Sequence, residues 1–341
     1  VQTHILRSLP EIEALSSEWR ELLAESISNV PFLTPEFIAA WWRHMGGGEW
    51  QAAELYVIAM REEDGKLVGI APLFYAKNKQ GQNALQFIGT VEIADFLDFV
   101  VRPEDLHRFL DCLFYHLNGP DAPVWDVLDL YNILDESPSS KALEAAAAGA
   151  GWRFEQDVLQ PSPYIPLPES FEQYLEGLQG RYRKELRRKA RQAANYFIPV
   201  SWYIVEDPDS LDENLDALLA LMSKEPEKAR FLTEPMRAQM RAIAQAAFDN
   251  GWLNLSMVDV GRDKAAAFIA FDYDNRIWGY NSGYDPAVAD ISPGQFLLWQ
   301  NINWAIEQGR EAFDFMRGDE EWKYQLGSVD RYVMHVAVRR N

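Results

Sequence analysis

The chain has a single cysteine, Cys112, so no disulfide can close within it, which fits a reducing compartment. Its five histidines, His4, His44, His107, His116 and His335, show no metal-ligand spacing, and no metal site is expected. No G-x-S-x-G stretch offers the setting of a nucleophilic serine. No apolar run approaches the ~20 residues of a membrane-spanning helix. The start, VQTHILRSLPEIEAL, lacks the basic and apolar regions of a signal peptide. A cytoplasmic protein is expected, with attachment to the inner face of a membrane left open. Bases are also scarce: 32 Lys and Arg stand against 52 Asp and Glu, for a net charge of -20. A phosphate backbone repels such a surface, so no specific DNA binding is expected.

What is present suits two globular domains. A length of 341 residues exceeds one ordinary core, and 48% hydrophobic residues argue against disorder. The first half reads as a strand (3–9), helices (11–25 and from Thr34), strands (54–61, 67–76, 96–101), a helix (103–117), a strand (124–131), a helix (141–150) and a strand (152–158). The second half repeats that order: a strand (198–205), helices (211–224, 234–248), strands (252–260, 265–273, 276–284), a helix (293–307) and strands (312–316, 332–338). Single residues repeat as well. Phe32-Leu33-Thr34 matches Phe231-Leu232-Thr233, Lys66 and Tyr75 match Lys264 and Tyr273, and Asp126 matches Asp314. A slowly drifting offset of this kind points to an ancient duplication. The boundaries expected are 1–165 for an N-terminal domain and 166–341 for a C-terminal one.

This order is similar to that of the GNAT acyltransferase fold, here α/β (α+β) and present twice, each copy a mixed, mostly antiparallel sheet flanked by helices. The analogy implies an acyl-donor pyrophosphate at the start of the helix that follows the central strands, where free N–H groups and the helix dipole favour an anion. In the second half that start reads Ser292-Pro293-Gly294-Gln295: Ser292 can cap, Pro293 suits the first helical position, and Gly294 admits close backbone approach. In the first half it reads Arg102-Pro103-Glu104-Asp105, where two carboxylates oppose phosphate. The donor site is therefore expected in the second half, with the first half degenerate.

The densest polar cluster follows the strand at 312–316, in FDFMRGDEEWKYQLG. Ligands bind at the carboxyl ends of strands in open α/β sheets. Acyl transfer to an amine needs a base for the amine proton, a stabiliser for the oxyanion and an acid for the thiolate. Asp319 or Glu320 is the candidate base, Arg317 and Lys323 are candidate anion or oxyanion stabilisers, and Tyr324 is the candidate acid. A solvated turn with surface ion pairs is the competing explanation.

A third feature opens with the capping box Ser170-Phe171-Glu172-Gln173 and carries Arg181, Arg183, Lys184, Arg187, Arg188, Lys189 and Arg191 against one acid, Glu185. That is +6 in a chain otherwise at -26. At ~100° per residue every base except Lys189 falls on one stripe, opposite Tyr182, Leu186, Ala190, Ala193 and Phe197. Arg187 and Arg188 are candidate contacts for an anion: donor phosphate, tRNA, a phospholipid surface or the acidic remainder of the chain. Asp95 and Asp98, with Asn281 and Tyr284, are candidates to hold an acceptor amine or hydroxyl, and a structural hydrogen bond explains Asp98 equally well.

Together, GRYRKELRRKARQA, SPGQFLLW and FDFMRGDEEWKYQLG resemble the GNAT-type acetyltransferase-like family associated with cellulose and exopolysaccharide biosynthesis, related to the Fem peptidyltransferases. The resemblance extends over nearly the whole chain. It implies paired GNAT folds, acyl-CoA as donor, N-acyl transfer to a small-molecule or envelope-precursor amine, a donor loop at Ser292, Pro293 and Gly294, and a strand-end motif at Asp314, Arg317, Gly318, Asp319 and Lys323. Where Fem enzymes carry a Phe-Lys pair this chain has Trp322-Lys323, and it lacks their long helical hairpin and the glycine-rich donor loop of simple GNAT enzymes. A Fem-like aminoacyl transferase using aminoacyl-tRNA and a non-catalytic binding partner are the alternatives.

Overall fold

The computed structural model describes residues 1–340. They form two units, Val1–Pro161 with the segment from Arg331 onward, and Ser162–Asp330. The first unit contains β1 (Gln2–Leu6), α1 (Leu9–Ala24), α2 (Pro35–Arg43), β2 (Glu54–Leu55), β3 (Val57–Arg61), β4 (Leu67–Ala71), β5 (Leu73–Lys77), β6 (Asn83–Phe87), β7 (Val100–Val101), α3 (Leu106–Asn118), β8 (Val127–Leu134), α4 (Ser139–Ala150) and β9 (Arg153–Pro161). The second contains β10 (Tyr164–Pro166), α5 (Phe171–Gly177), α6 (Gly180–Ala194), β11 (Val200–Ile204), α7 (Pro208–Met222), α8 (Pro226–Phe231), α9 (Glu234–Asp249), β12 (Leu253–Val260), β13 (Asp263–Tyr273), β14 (Arg276–Tyr284), α10 (Pro293–Glu307), β15 (Ala312–Asp314) and α11 (Glu321–Gln325). The last strand, β16 (Tyr332–Arg339), returns to the first unit and lies antiparallel between β8 and β9.

Two boundaries thus differ from the expected ones. The strand at 164–166 pairs with β15 and goes with the second unit, and β16, placed by sequence in the second domain, fills a sheet position in the first. Strand assignment to a unit depends on ladder partners far away in sequence, which local patterning does not carry.

The first unit's strands run β1-β3-β4-β7 and β2-β5-β6-β8-β16-β9. The two halves meet where Pro72 separates β4 from β5 and Tyr56 separates β2 from β3. Proline has no N–H to give a ladder, so the strand expected over 67–76 is cut in two at Pro72. On one flank α1 buries Ile12, Leu15, Trp19, Leu22 and Leu23, a helical stripe facing the core.

The second unit has one sheet in the order β10-β15-β14-β13-β12-β11, antiparallel throughout except for the parallel pair β14 and β15. Val258, Ala266, Phe268, Ile277 and Phe313 pack against Leu297, Ile302 and Ala305 of α10. Thr34, where the second helix is expected to start, caps it, and its repeat match Thr233 caps a helix of the second unit. Thr34 accepts the Phe37 N–H at 3.2 Å to start α2, and Thr233 accepts the Met236 N–H at 3.4 Å to start α9. The helix expected from Ser170 breaks at Leu178, whose extended backbone separates α5 from α6.

Candidate functional site

The parallel pair of the second unit holds only three rungs: Arg276 opposite Ala312, Ile277 opposite Phe313 and Trp278 opposite Asp314. Beyond them the strands part. On one side Asp314, fully buried, accepts the Met316 N–H at 2.9 Å, and Met316 takes a left-handed backbone with φ 62, which turns the chain out of the ladder. On the other side β14 carries a bulge. Ala270 faces Gly279 while Ile269 faces Asn281, so the register slips by one residue at Tyr280. Bulges re-aim strands and concentrate beside active sites. Gly279 is required there, since a Cβ would stand 2.8 Å from the Phe268 ring and 3.0 Å from the Asp314 carbonyl oxygen.

The polar cluster after β15 is a clamp. Lys323 is 2% exposed, and its Nζ donates to the carbonyls of Arg317 at 2.7 Å, Met316 at 3.3 Å and Gly318 at 3.3 Å, with the Glu320 carboxylate at 2.8 Å. Those acceptors absorb all three ammonium protons. Lys323 and Glu320 therefore hold the turn, which differs from the acid-base or oxyanion roles expected of them. Gly318 sits at φ 116, and a Cβ would come 2.4 Å from the Glu320 carboxylate. The Tyr324 hydroxyl, the candidate acid, donates to Asp330 at 2.8 Å. Asp319 is exposed and stands outside the clamp, and Arg317 is half-buried. Asp314 serves the chain reversal, which leaves its expected substrate contact without support.

At the same end of β14, the first turn of α10 lies against Tyr284, whose ring would be 3.7 Å from a Cβ at Gly294. Ser292 does not cap with its hydroxyl. It takes a left-handed backbone (φ 49, ψ 58), and its carbonyl accepts the N–H groups of both Gln295 and Phe296 at 3.0 Å. Pro293 has no N–H, so Gly294 supplies the first-turn donor. Strained non-glycine backbones cluster at functional sites, and Ser292 and Met316 are two of the six such residues described.

The basic helix α6 packs beside this turn. Leu186 and Ala193 are buried, Gln192 Nε2 donates to the Asp290 carbonyl at 2.6 Å, and Lys189 Nζ reaches Gln295 Oε1. Lys189, the one base off the outer stripe, is only 14% exposed in its side chain. The outer stripe faces water: Arg187 pairs with Glu172 at 3.1 Å and Arg188 with Glu185 at 2.7 Å, both side chains about half exposed. Two further lysines meet the end of β14, Lys228 donating to the Ser282 carbonyl at 2.8 Å and Lys224 pairing with Asp285 at 2.6 Å. The Asn281 side chain accepts the Ser282 N–H at 2.9 Å, and Tyr284 is exposed. Sequence reasoning missed the bulge at Tyr280, the clamp geometry and Lys228. It did carry a signal for Lys189, the base on the wrong side of the stripe.

The first unit contains the same parallel pair, β6 beside β8 at Ala84–Val127 and Leu85–Leu128. There the chain itself enters the gap. Residues 88–99 leave the six-stranded sheet after Phe87, and the chain next pairs at Val100, with β4 of the four-stranded sheet. Leu97 donates its N–H to the Asn132 carbonyl at 2.9 Å, and Asn132 Nδ2 holds the carbonyls of Val91 and Ala94. Ile93, Phe96, Leu97 and Phe99 are buried in this excursion, and Asp95 is half-buried in it. Asp98, 1% exposed, accepts from the hydroxyls of Ser137 and Ser139 at 2.5 Å and from the Phe99 N–H at 2.8 Å. Burial pushes its pKa up to about 6 against those hydrogen bonds. Asp98 is thus the anchor of the excursion rather than a substrate contact. At the start of α3, Glu104 is exposed and Asp105 pairs with Arg108 at 2.9 Å.

Among the described residues no group of His, Cys, Asp and Glu could hold a metal ion, and no helix is long and apolar enough to cross a membrane. Residues 180–324 match the family model described as "Acetyltransferase (GNAT) domain", a span that runs from the basic helix to Tyr324. No curated protein matches the chain. Among solved structures, FemX is similar at 12% identity over 98% of this chain and 97% of that one, with a TM-score of 0.62. A conserved protein of unknown function from Bacteroides thetaiotaomicron is similar at 13% identity over 99% and 100%, TM-score 0.61. L-PGS from Bacillus licheniformis is similar at 14% identity over 98% and 93%, TM-score 0.56.

Proposed function

We propose that the second unit, a GNAT-type domain in a chain that is GNAT-like and Fem-related in fold, moves an acyl group from acyl-CoA to an amine. The acceptor class we assign is a small molecule or a polysaccharide, lipid or cell-envelope precursor. The observation that carries this reading is the parting of β14 from β15 after Trp278 and Asp314, with the first turn of α10 at the same end. A thioester would lie between the parted strands. Its diphosphate would meet the Gly294 N–H, the positive end of α10 and the Lys189 ammonium beside Gln295.

The amine nitrogen attacks the thioester carbonyl carbon, a C–N bond forms, the C–S bond breaks, and CoA leaves as a thiolate that takes a proton. Asp319, the exposed carboxylate outside the Lys323 clamp, is our candidate to accept the amine proton, and Arg317 our candidate to face the developing oxyanion. Lys323, Glu320 and Tyr324 act as positioning residues that hold the turn on which both stand. In the first unit the excursion 88–99 and the carboxylates before α3 support a degenerate partner domain.

The test is a mass-spectrometric screen of acetyl- and longer acyl-CoA against a panel of amines. The expected result is an acceptor heavier by the acyl group, with free CoA thiol released in equal amount. Transfer only from charged tRNA would replace acyl-CoA with a Fem-like donor. Absence of both transfer and acyl-CoA binding would leave a non-catalytic binding protein.

A further inference from the structure

The outer face of α6 takes no part in the site just described. It carries Arg181, Arg183, Lys184, Arg187, Arg188 and Arg191, and the helix holds one acid, Glu185. The structure orients this charge: Leu186 and Ala193 are buried and Lys189 is turned inward, which leaves the other six bases as a convex ridge about 15 Å long at 1.5 Å per residue. Helical spacing put Phe197 on the packed face opposite the bases, but α6 ends at Ala194, and Phe197, just past that end, is 83% exposed while Tyr196 before it and Ile198 after it pack on the core. The Phe197 ring meets the Tyr196 ring at 4.5 Å and otherwise points to water.

We propose that this ridge docks the protein on an anionic lipid bilayer, with the bases on the headgroups and Phe197 inserted at the interface. Clusters of four to eight bases on one helical face are attracted to anionic leaflets, and an aromatic ring beside them enters the boundary between headgroups and acyl chains. The remaining chain carries -26, so a flat anionic surface attracts the ridge and repels the rest, which fixes the docked orientation. A nucleic acid fits less well. Single strands are held in concave basic grooves with several stacking rings, whereas this ridge is convex and has one exposed ring, at its end. With no described helix able to cross a membrane, docking of this kind is peripheral and reversible.

The test is co-sedimentation of the full chain with vesicles of phosphatidylcholine alone or with about one-third phosphatidylglycerol. Binding is expected only with phosphatidylglycerol, and loss is expected at about 0.5 M salt, where exposed charges are screened. Arg183→Gln, Lys184→Gln, Arg187→Gln and Arg188→Gln together should weaken binding at least about tenfold, and Phe197→Ser alone about threefold, with unchanged melting as the control for folding. Equal binding to both vesicle types, equal binding by the parent and the quadruple variant, or tighter binding to RNA than to phosphatidylglycerol vesicles would each overturn the proposal. Acyl-CoA titration is read separately, so a failure here leaves the transferase reading standing and the reverse.

Discussion

The Lys323 ammonium meets three carbonyls and one carboxylate within a single turn, so its removal should be felt in stability before chemistry. Hydrogen bonds from a charged group are worth about 1.5–3 kcal/mol, and Lys323 is buried while its partner Glu320 is half exposed. Lys323→Met should therefore cost on the order of 3 kcal/mol in unfolding measurements. Asp319→Asn, at an exposed position, should leave stability within about 0.5 kcal/mol and lower turnover by at least about 10²-fold. A Lys323→Met protein that melts like the parent and yet loses all turnover would return Lys323 to the chemistry. The sequence shows that bases, acids and a phenol collect after β15. It does not show that the lysine is spent on backbone carbonyls, because those acceptors have no residue identity to read. The helix start at Thr34 was legible for the opposite reason, since its cap partner lies three residues away.

The excursion 88–99 separates the two units' strand pairs in character, and it was the least legible element. Phe96–Val101 reads as a strand because an apolar run buried in a loop has the same pattern as one buried in a sheet. Only Val100 and Val101 pair. The true neighbour strand, β6, carries Asn83 and Gln86 within five residues and escaped notice. By contrast α10 begins and ends where its proline and amphipathic run place it, at Pro293 and Glu307. Asp98 ties the excursion to the loop after β8 and gives it a pH signature. Its folded pKa of about 6 lies above its ordinary 3.8. The folded state therefore holds the proton more tightly, the stabilisation is complete below about pH 4, and it is lost as pH rises through about 6. The full change is on the order of 3 kcal/mol. The difference in urea midpoint between the parent and Asp98→Asn should shift in that sense between pH 4 and 7, and a difference independent of pH would contradict the assignment.

At the scale of the molecule, the chain holds two copies of one α/β design in which the same parallel pair parts in different company. In the second unit the first turn of α10, with Lys189 beside it, stands at the end of β14; in the first, the excursion bonds to β8 at Asn132 and two carboxylates precede α3. The two α/β copies were legible because the element order repeats, and the charge difference between Ser292-Pro293-Gly294 and Arg102-Pro103-Glu104 is the ground for proposing the donor site in the second. The exchange of β16 into the first unit was not, since it is a matter of long-range pairing. One donor site per chain is expected, at the start of α10. Calorimetric titration with acetyl-CoA tests it most directly, using the parent, Gly294→Glu and Glu104→Gly. A Cβ at Gly294 makes only ordinary contact with Tyr284, so the added carboxylate acts by charge and not by unfolding. One equivalent is expected to bind to the parent and to Glu104→Gly, with binding weakened at least about 10²-fold in Gly294→Glu and melting unchanged. Two equivalents bound, or Gly294→Glu binding as tightly as the parent, would contradict it.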